Sequence, residues 1–170
     1  MNLFSRTWSL AWAGVNTAFI KYSKMRRISA IVGVIACIAL FCAWQNNAIV
    51  TTRIDYINPK IPGEFSGYTI VHISDLHNKE FGQHQERLLN KIRATSPDII
   101  VVTGDLIDRR RYDLDTAMVF IEGAMKIAQV YYVSGNHEAW SGDYENISHR
   151  LQSCGVQILD DNKVKLTQGK

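Results

Sequence analysis

The sequence predicts an α/β domain with a largely parallel sheet, set behind a transmembrane helix. Three observations carry this. Short apolar runs rich in β-branched residues alternate with helical stripes, and the connections between them are short. Residues 28–44 read ISAIVGVIACIALFCAW without a charge. Finally, three of the expected strands end in polar clusters, about one β-α unit apart.

The N-terminal segment comes first. Spanning a bilayer takes about 20 apolar residues and at least about 17, so the run is just long enough and can extend to Val50. Lys21, Lys24, Arg26 and Arg27 stand directly before it. By the positive-inside rule the N-terminus stays in the cytoplasm and the body lies outside it, at the inner membrane. A buried core helix is disfavoured, because the run has no polar stripe and is flanked by a basic cluster. No Ala-x-Ala site is evident, which favours a retained signal anchor over a cleaved signal peptide. A lipoprotein-type site at Cys37 is disfavoured by the apolar residues that follow it, and Arg26-Arg27 leaves twin-arginine export open. In residues 1–24, Phe4, Trp8, Trp12, Val15, Phe19 and Tyr22 recur at three- and four-residue steps, as on one helix face at a membrane interface. Met25 is an alternative start.

The charge divides in the same way. The net charge of +3 averages a first segment of 50 residues with five basic residues and no acid against a body with 14 basic and 16 acidic residues. A body at −2 gives no electrostatic reason to bind nucleic acid. Cys37, Cys42 and Cys154 form neither a disulfide framework nor a zinc cluster.

The expected organisation is thus a basic segment over 1–27, an anchor over 28–50, a linker over 51–67 and a domain over 68–170. The linker holds Pro59, Pro62, Gly63 and Gly67, with room for one short strand. Buried strands are expected at 68–74, 98–103, 130–134 and 156–159. Helices are expected at 83–95, stopped by Pro97, and at 115–128 and 144–153.

The clusters are Asp75-Leu76-His77, then Gly104-Asp105-Leu106-Ile107-Asp108-Arg109, then Gly135-Asn136-His137-Glu138. Ligands of open α/β sheets bind beyond the carboxyl ends of the strands, so all three project toward one rim. Carboxylate, imidazole and amide oxygen favour Mn, Fe, Zn or Ni over calcium. If strand geometry persists, Asp75 and His77 point the same way and reach one ion. Asp105 has two oxygens with which to bridge two ions, and Asn136 offers a carbonyl oxygen to the second. Two such ions about 4 Å apart hold both a hydroxide and a phosphoryl oxygen. Each cluster alone has a plainer reading: Gly-Asp as a turn, or Asn136 as a helix cap. Their conjunction in order carries the inference.

These motifs resemble those of the calcineurin-like metallophosphoesterases, within them the membrane-anchored bacterial branch. The family pattern runs Asp-x-His, Gly-Asp-x-x-Asp, Gly-Asn-His-Asp/Glu, a lone His, then Gly-His-x-His. The first three are matched over about residues 65–165. The resemblance implies the N-terminal half of a four-layer α-β-β-α sandwich holding two divalent metal ions. Asp75 and His77 would hold the first ion, Asp105 would bridge, and Asn136 would hold the second. His137 would protonate the leaving oxygen or stabilise the transition state, with Asp108 orienting it and Arg109 contacting phosphate. The substrate would be a phosphorylated small molecule or a phospholipid-linked phosphoester.

Nothing after Glu138 supplies the last two motifs. His149 lies on an expected helix, and His72 and His84 match no motif. The expectation is a hydrolase of phosphomonoesters or phosphodiesters that is incomplete here, and inactive or weak as an isolated chain. A noncatalytic membrane-tethered remnant or interaction module is the alternative.

Overall fold

The computed structural model describes the backbone of residues 3–168, and side chains at Tyr22 and from Lys24 onward. It has two units, Met1–Ile49 and Val50–Lys170.

The first unit is a single helix, α1, Leu3–Asn47. Within it Lys24–Asn47 is 24 residues long and apolar enough to cross a membrane. At 1.5 Å per residue that is about 36 Å, more than the ~30 Å hydrocarbon layer. Ile31, Val34, Ile35, Ile38 and Phe41 are all more than half exposed. The helix ends at Asn47, whose side-chain amide donates to the Ala43 carbonyl at 2.8 Å. The interfacial stripe expected at Phe4, Trp8, Trp12, Val15 and Phe19 lies outside the described side chains.

The second unit starts with coil. The linker forms no strand among its described residues and contains only the short 3-10 turn Gly63–Phe65 behind Pro62. Four parallel strands follow in sequential order: β1 (Ile70–Ile73), β2 (Ile99–Thr103), β3 (Gln129–Val133) and β4 (Gln157–Ile158). The helices are α2 (Glu86–Ala94), α3 (Leu114–Met125), α4 (Asn136–Ser141) and α5 (Tyr144–Ser153).

Helix α2 contacts α3, and α3 contacts α5, so these three form one layer. Ile100, Val102, Val130 and Tyr132 meet that layer from the sheet. Leu88, Leu89, Ile92, Ala117, Phe120, Ile121, Ile147 and Leu151 meet them from the helices. Burial of such side chains, roughly 1.5–3 kcal/mol each, is what holds the unit together.

β1 departs from expectation. A buried strand was predicted, yet its residues alternate between exposed and half-buried, and Ile70 is 54% exposed. β1 is an edge strand, and Ile70 and His72 register with Ile99 and Val101 on the face away from the helices. Apolar periodicity shows that a strand forms. It does not show which face finds a partner.

Candidate metal centre

The site is built where the carboxyl ends of β1, β2 and β3 meet. Beyond Ile73 the β1 chain still pairs with β2, but not as a strand. Asp75, His77 and Asn78 N–H donate to the carbonyls of Gly104, Asp105 and Leu106 at 3.2, 2.9 and 3.1 Å. Asp75, His77, Asn78 and Asp105 all have positive φ, between 49° and 58°. Left-handed conformations of non-glycine residues cost about 1–3 kcal/mol each, so this is a strained loop of the kind found at functional sites. The strand argument for Asp75 and His77 facing one way therefore fails, because the strand has already ended. The left-handed turn brings them together instead, with His77 Nε2 at 3.6 Å from Asp75 Oδ1.

The loop after β1 is anchored further on by Gln85. This buried side chain accepts the Phe81 N–H at 3.0 Å and donates to the Lys79 carbonyl at 2.8 Å.

The β2 and β3 loops touch through glycines. Gly104 has φ +77°, and a Cβ there would lie 2.5 Å from the Gly135 Cα and nitrogen. A Cβ on Gly135 would lie 2.2 Å from Asp105 Oδ1. Only this side-chain-free approach lets Asp105 reach across, where its Oδ1 accepts the His137 N–H at 2.9 Å.

Glu138 ties the same loops from below. Its buried carboxylate accepts the N–H groups of Asp105 and Gly135, both at 2.8 Å, and that of Ile107 at 3.0 Å. The sequence reading put Glu138 in the motif without a role. A signal exists in the spacing: Glu at the third helical position can reach back to the N–H of the cap residue, and Gly135, not Asn136, is that cap.

His77 Nε2 lies 3.8 Å from Asp105 Oδ2, and the His77 and His137 rings are 4.4 Å apart edge to face. Donor atoms of His77, Asp105 and His137 all lie within 4.8 Å of one another. His77 Nδ1 is buried and has no hydrogen-bond partner. The Asn136 amide sits 3.0 Å from Asp105 Oδ2 and 3.3 Å from Oδ1. With its nitrogen inward it donates to both oxygens. With its oxygen inward, two acceptors converge with nothing between them, an arrangement that a cation stabilises. Imidazole, carboxylate and amide from three strand ends fit a divalent transition ion.

His137 belongs to the group by distance but is engaged differently. Its Nδ1 accepts the Arg109 N–H at 3.2 Å, which leaves the proton of the neutral ring on Nε2. Asp108 Oδ1 lies 3.6 Å from the same Nδ1. Asp108 is itself held by the Arg110 N–H at 2.9 Å and by Arg111 Nε at 3.3 Å. The Arg110 N–H, then the hydrogen bond and charge of Arg111, keep its carboxyl below the usual range despite some desolvation. His77, His137, Asp108, Arg110 and Arg111 line a cleft of about 400 Å³. The Arg109 guanidinium lies over the exposed Trp140 ring, 4.8 Å from its centroid. Trp140 was not singled out in the sequence. His149 is exposed on α5, and His72 Nε2 contacts Thr103 Oγ1 at 2.5 Å.

A family model described as calcineurin-like phosphoesterase matches residues 68–166. An uncharacterized metallophosphoesterase of Campylobacter jejuni is 27% identical over 135 residues, covering 78% of this chain and 36% of that protein. A bovine transmembrane protein with metallophosphoesterase domain is 27% identical over 136 residues, covering 79% and 30%. A UDP-2,3-diacylglucosamine pyrophosphatase of Chlamydia muridarum is 31% identical over 90 residues, covering 49% and 27%. The chain spans about a third of the length of the curated relatives it matches. No solved structure matches.

Proposed function

The chain belongs to the calcineurin-like phosphoesterase family, and from that premise we propose that it carries part of a metal-dependent phosphoester hydrolase site held at a membrane. The observation that carries the reading is the convergence of His77, Asp105 and the Asn136 amide from three separate strand ends. Asp75 and His77 would hold a first divalent ion, and Asp105 and Asn136 would hold a second. Divalent ions bound there supply Lewis acidity at phosphoryl oxygens and a nucleophile at neutral pH.

The protein's own groups do the rest. The Nε2–H of His137 hydrogen-bonds the leaving oxygen and stabilises the charge that develops there, because Nδ1 is occupied by the Arg109 N–H. The Arg109 N–H keeps that ring oriented, and Asp108 braces the turn that presents it by accepting the Arg110 N–H and Arg111 Nε. Arg109 binds a non-bridging phosphoryl oxygen at the rim.

The substrate class we favour is a lipid-linked phosphoester, hydrolysed on the extracytoplasmic side of the inner membrane. Support comes from the apolar segment Lys24–Asn47 with Arg26 and Arg27 near its start, and from the diacylglucosamine pyrophosphatase among the relatives. A noncatalytic tethered module is the second reading. It is favoured by the small donor set, since the close group among the described residues is His77, Asp105 and His137.

The test is calorimetric titration of the full chain in detergent with Mn²⁺, alongside hydrolysis of an activated phosphodiester. Binding and turnover that both disappear in Asp105→Asn support the hydrolase. Binding without turnover favours the tethered module, and absence of Mn²⁺ binding defeats the metal-site reading.

A further inference from the structure

We propose that Trp140 is a positioning residue for Arg109, and that the indole face holds the guanidinium at the rim of the cleft to take a phosphate anion. This rests on the phosphoester reading of the same site. Trp140 is 61% exposed, so it contributes little to the core. What it does contact is Arg109, with Cζ 4.8 Å from the ring centroid, inside the roughly 6 Å reach of a cation–π pair. The two come from different elements, Arg109 from the loop after β2 and Trp140 from helix α4.

The backbone of Arg109 is already fixed, since its N–H donates to His137 Nδ1. Its long side chain would otherwise sweep through solvent, and ordering it on binding costs affinity. Resting it on the indole removes part of that cost in advance. Its charge remains available, because no carboxylate among the described residues pairs with Arg109. The neighbouring Arg111 is committed to Asp108 at 3.3 Å. Trp140 also follows His137 by three positions on α4, so the stack is carried on the same short helix as that imidazole.

The experiment uses the full chain in detergent with Mn²⁺ present and inorganic phosphate as the probe, measured by calorimetry. Trp140→Ala is expected to weaken phosphate binding about threefold, the size of an exposed cation–π pair. Trp140→Phe should stay near wild type, and Arg109→Ala should lose about tenfold, as for a charge-assisted hydrogen bond. Trp140→Ala should add nothing in the Arg109→Ala background, and Mn²⁺ affinity should not change in any variant.

Indole emission checks the stack directly. The other tryptophans, Trp8, Trp12 and Trp44, lie in the first fifty residues, so the wild-type minus Trp140→Phe difference spectrum reports Trp140 and should shift in Arg109→Ala. The inference is overturned if phosphate affinity ignores Trp140→Ala, or if the two alanine substitutions add independently. It is also overturned if the Mn²⁺-loaded protein binds no phosphate. In those cases the metal site survives, provided Mn²⁺ binds. Loss of both Mn²⁺ and phosphate binding in the wild type defeats the phosphoester reading as well.

Discussion

Glu138 Oε2 accepts the backbone N–H of Asp105 at 2.8 Å, across 33 positions of sequence. The same carboxylate takes two further N–H groups, from Gly135 and Ile107. One buried side chain thus fixes the backbone that carries Asp105 and the backbone that leads into Asn136 and His137. Hydrogen bonds to a charged acceptor are each worth more than neutral ones, and a buried donor left unpaired carries its full desolvation penalty.

Glu138→Gln keeps the shape but turns one acceptor into an NH₂ group facing backbone N–H. We expect a loss of about 3 kcal/mol of unfolding free energy, measured by urea denaturation. Mn²⁺ affinity should fall too, although Glu138 touches no ion. A variant as stable as wild type would show that the three N–H groups find other partners.

Gly135→Ala tests the contact between the β2 and β3 loops. The new methyl would stand 2.2 Å from Asp105 Oδ1 and 2.4 Å from Asp105 nitrogen. Neither loop can yield without breaking the Glu138 bonds, so the expected cost is about 1–3 kcal/mol or more, as for overpacking against a rigid wall. Mn²⁺ binding should be lost first, because Asp105 is the group displaced. Unchanged binding in a folded Gly135→Ala protein would place Asp105 outside the metal site.

Much of this architecture was legible in the sequence because it depends on local pattern. A helix was predicted over 144–153, and α5 is Tyr144–Ser153, with Ile147 and Leu151 on its buried face. Apolar runs marked all four strands, and their polar ends marked the rim. The remainder depends on non-local contacts. The left-handed turn at Asp75, His77 and Asn78 exists because their N–H groups pair with the β2 loop, which no local spacing encodes. The exposure of Ile70 depends on β1 being an edge strand. Arg109 reads as one of three consecutive arginines until Trp140 is seen beneath it.

Asp113 caps α3. Its carboxylate accepts the Thr116 N–H at 3.0 Å and the Thr116 hydroxyl at 2.7 Å. The Thr116 N–H, then its hydroxyl, hold the Asp113 carboxyl below the ordinary range. A depressed folded-state value means that the stabilisation is present above the unfolded-state value and is lost as pH falls through the folded one. Asp113→Ala should therefore cost about 1 kcal/mol at neutral pH, toward the low end because the site is exposed. The gap from wild type should close in acid. Urea midpoints of both proteins across an acid series measure it, and a gap independent of pH would remove the charge from the account.

Tyr144 gives the opposite sign. Its hydroxyl donates to Asp160 Oδ2, and Asp160 Oδ1 accepts the Ser134 N–H at 2.7 Å and the Ser134 hydroxyl at 3.1 Å. Asp160 follows β4, so this chain of bonds ties the end of β3, one residue before Gly135, to the segment beyond β4. Burial, then the bond to Asp160, pushes the Tyr144 hydroxyl up to about 12. For an acid whose folded value is raised, the stabilisation is complete below the unfolded value and disappears as pH rises through the folded one. Tyr144→Phe should cost about 1 kcal/mol near neutrality, the net worth of one hydrogen bond. The mutant should then lose less than wild type as pH climbs from 10 toward 12. Tyr112, also raised to about 12 by burial and Asp143, titrates in both proteins and cancels in the difference. Parallel stability curves over that range would mean that the Tyr144 hydroxyl contributes nothing to holding β3 in place.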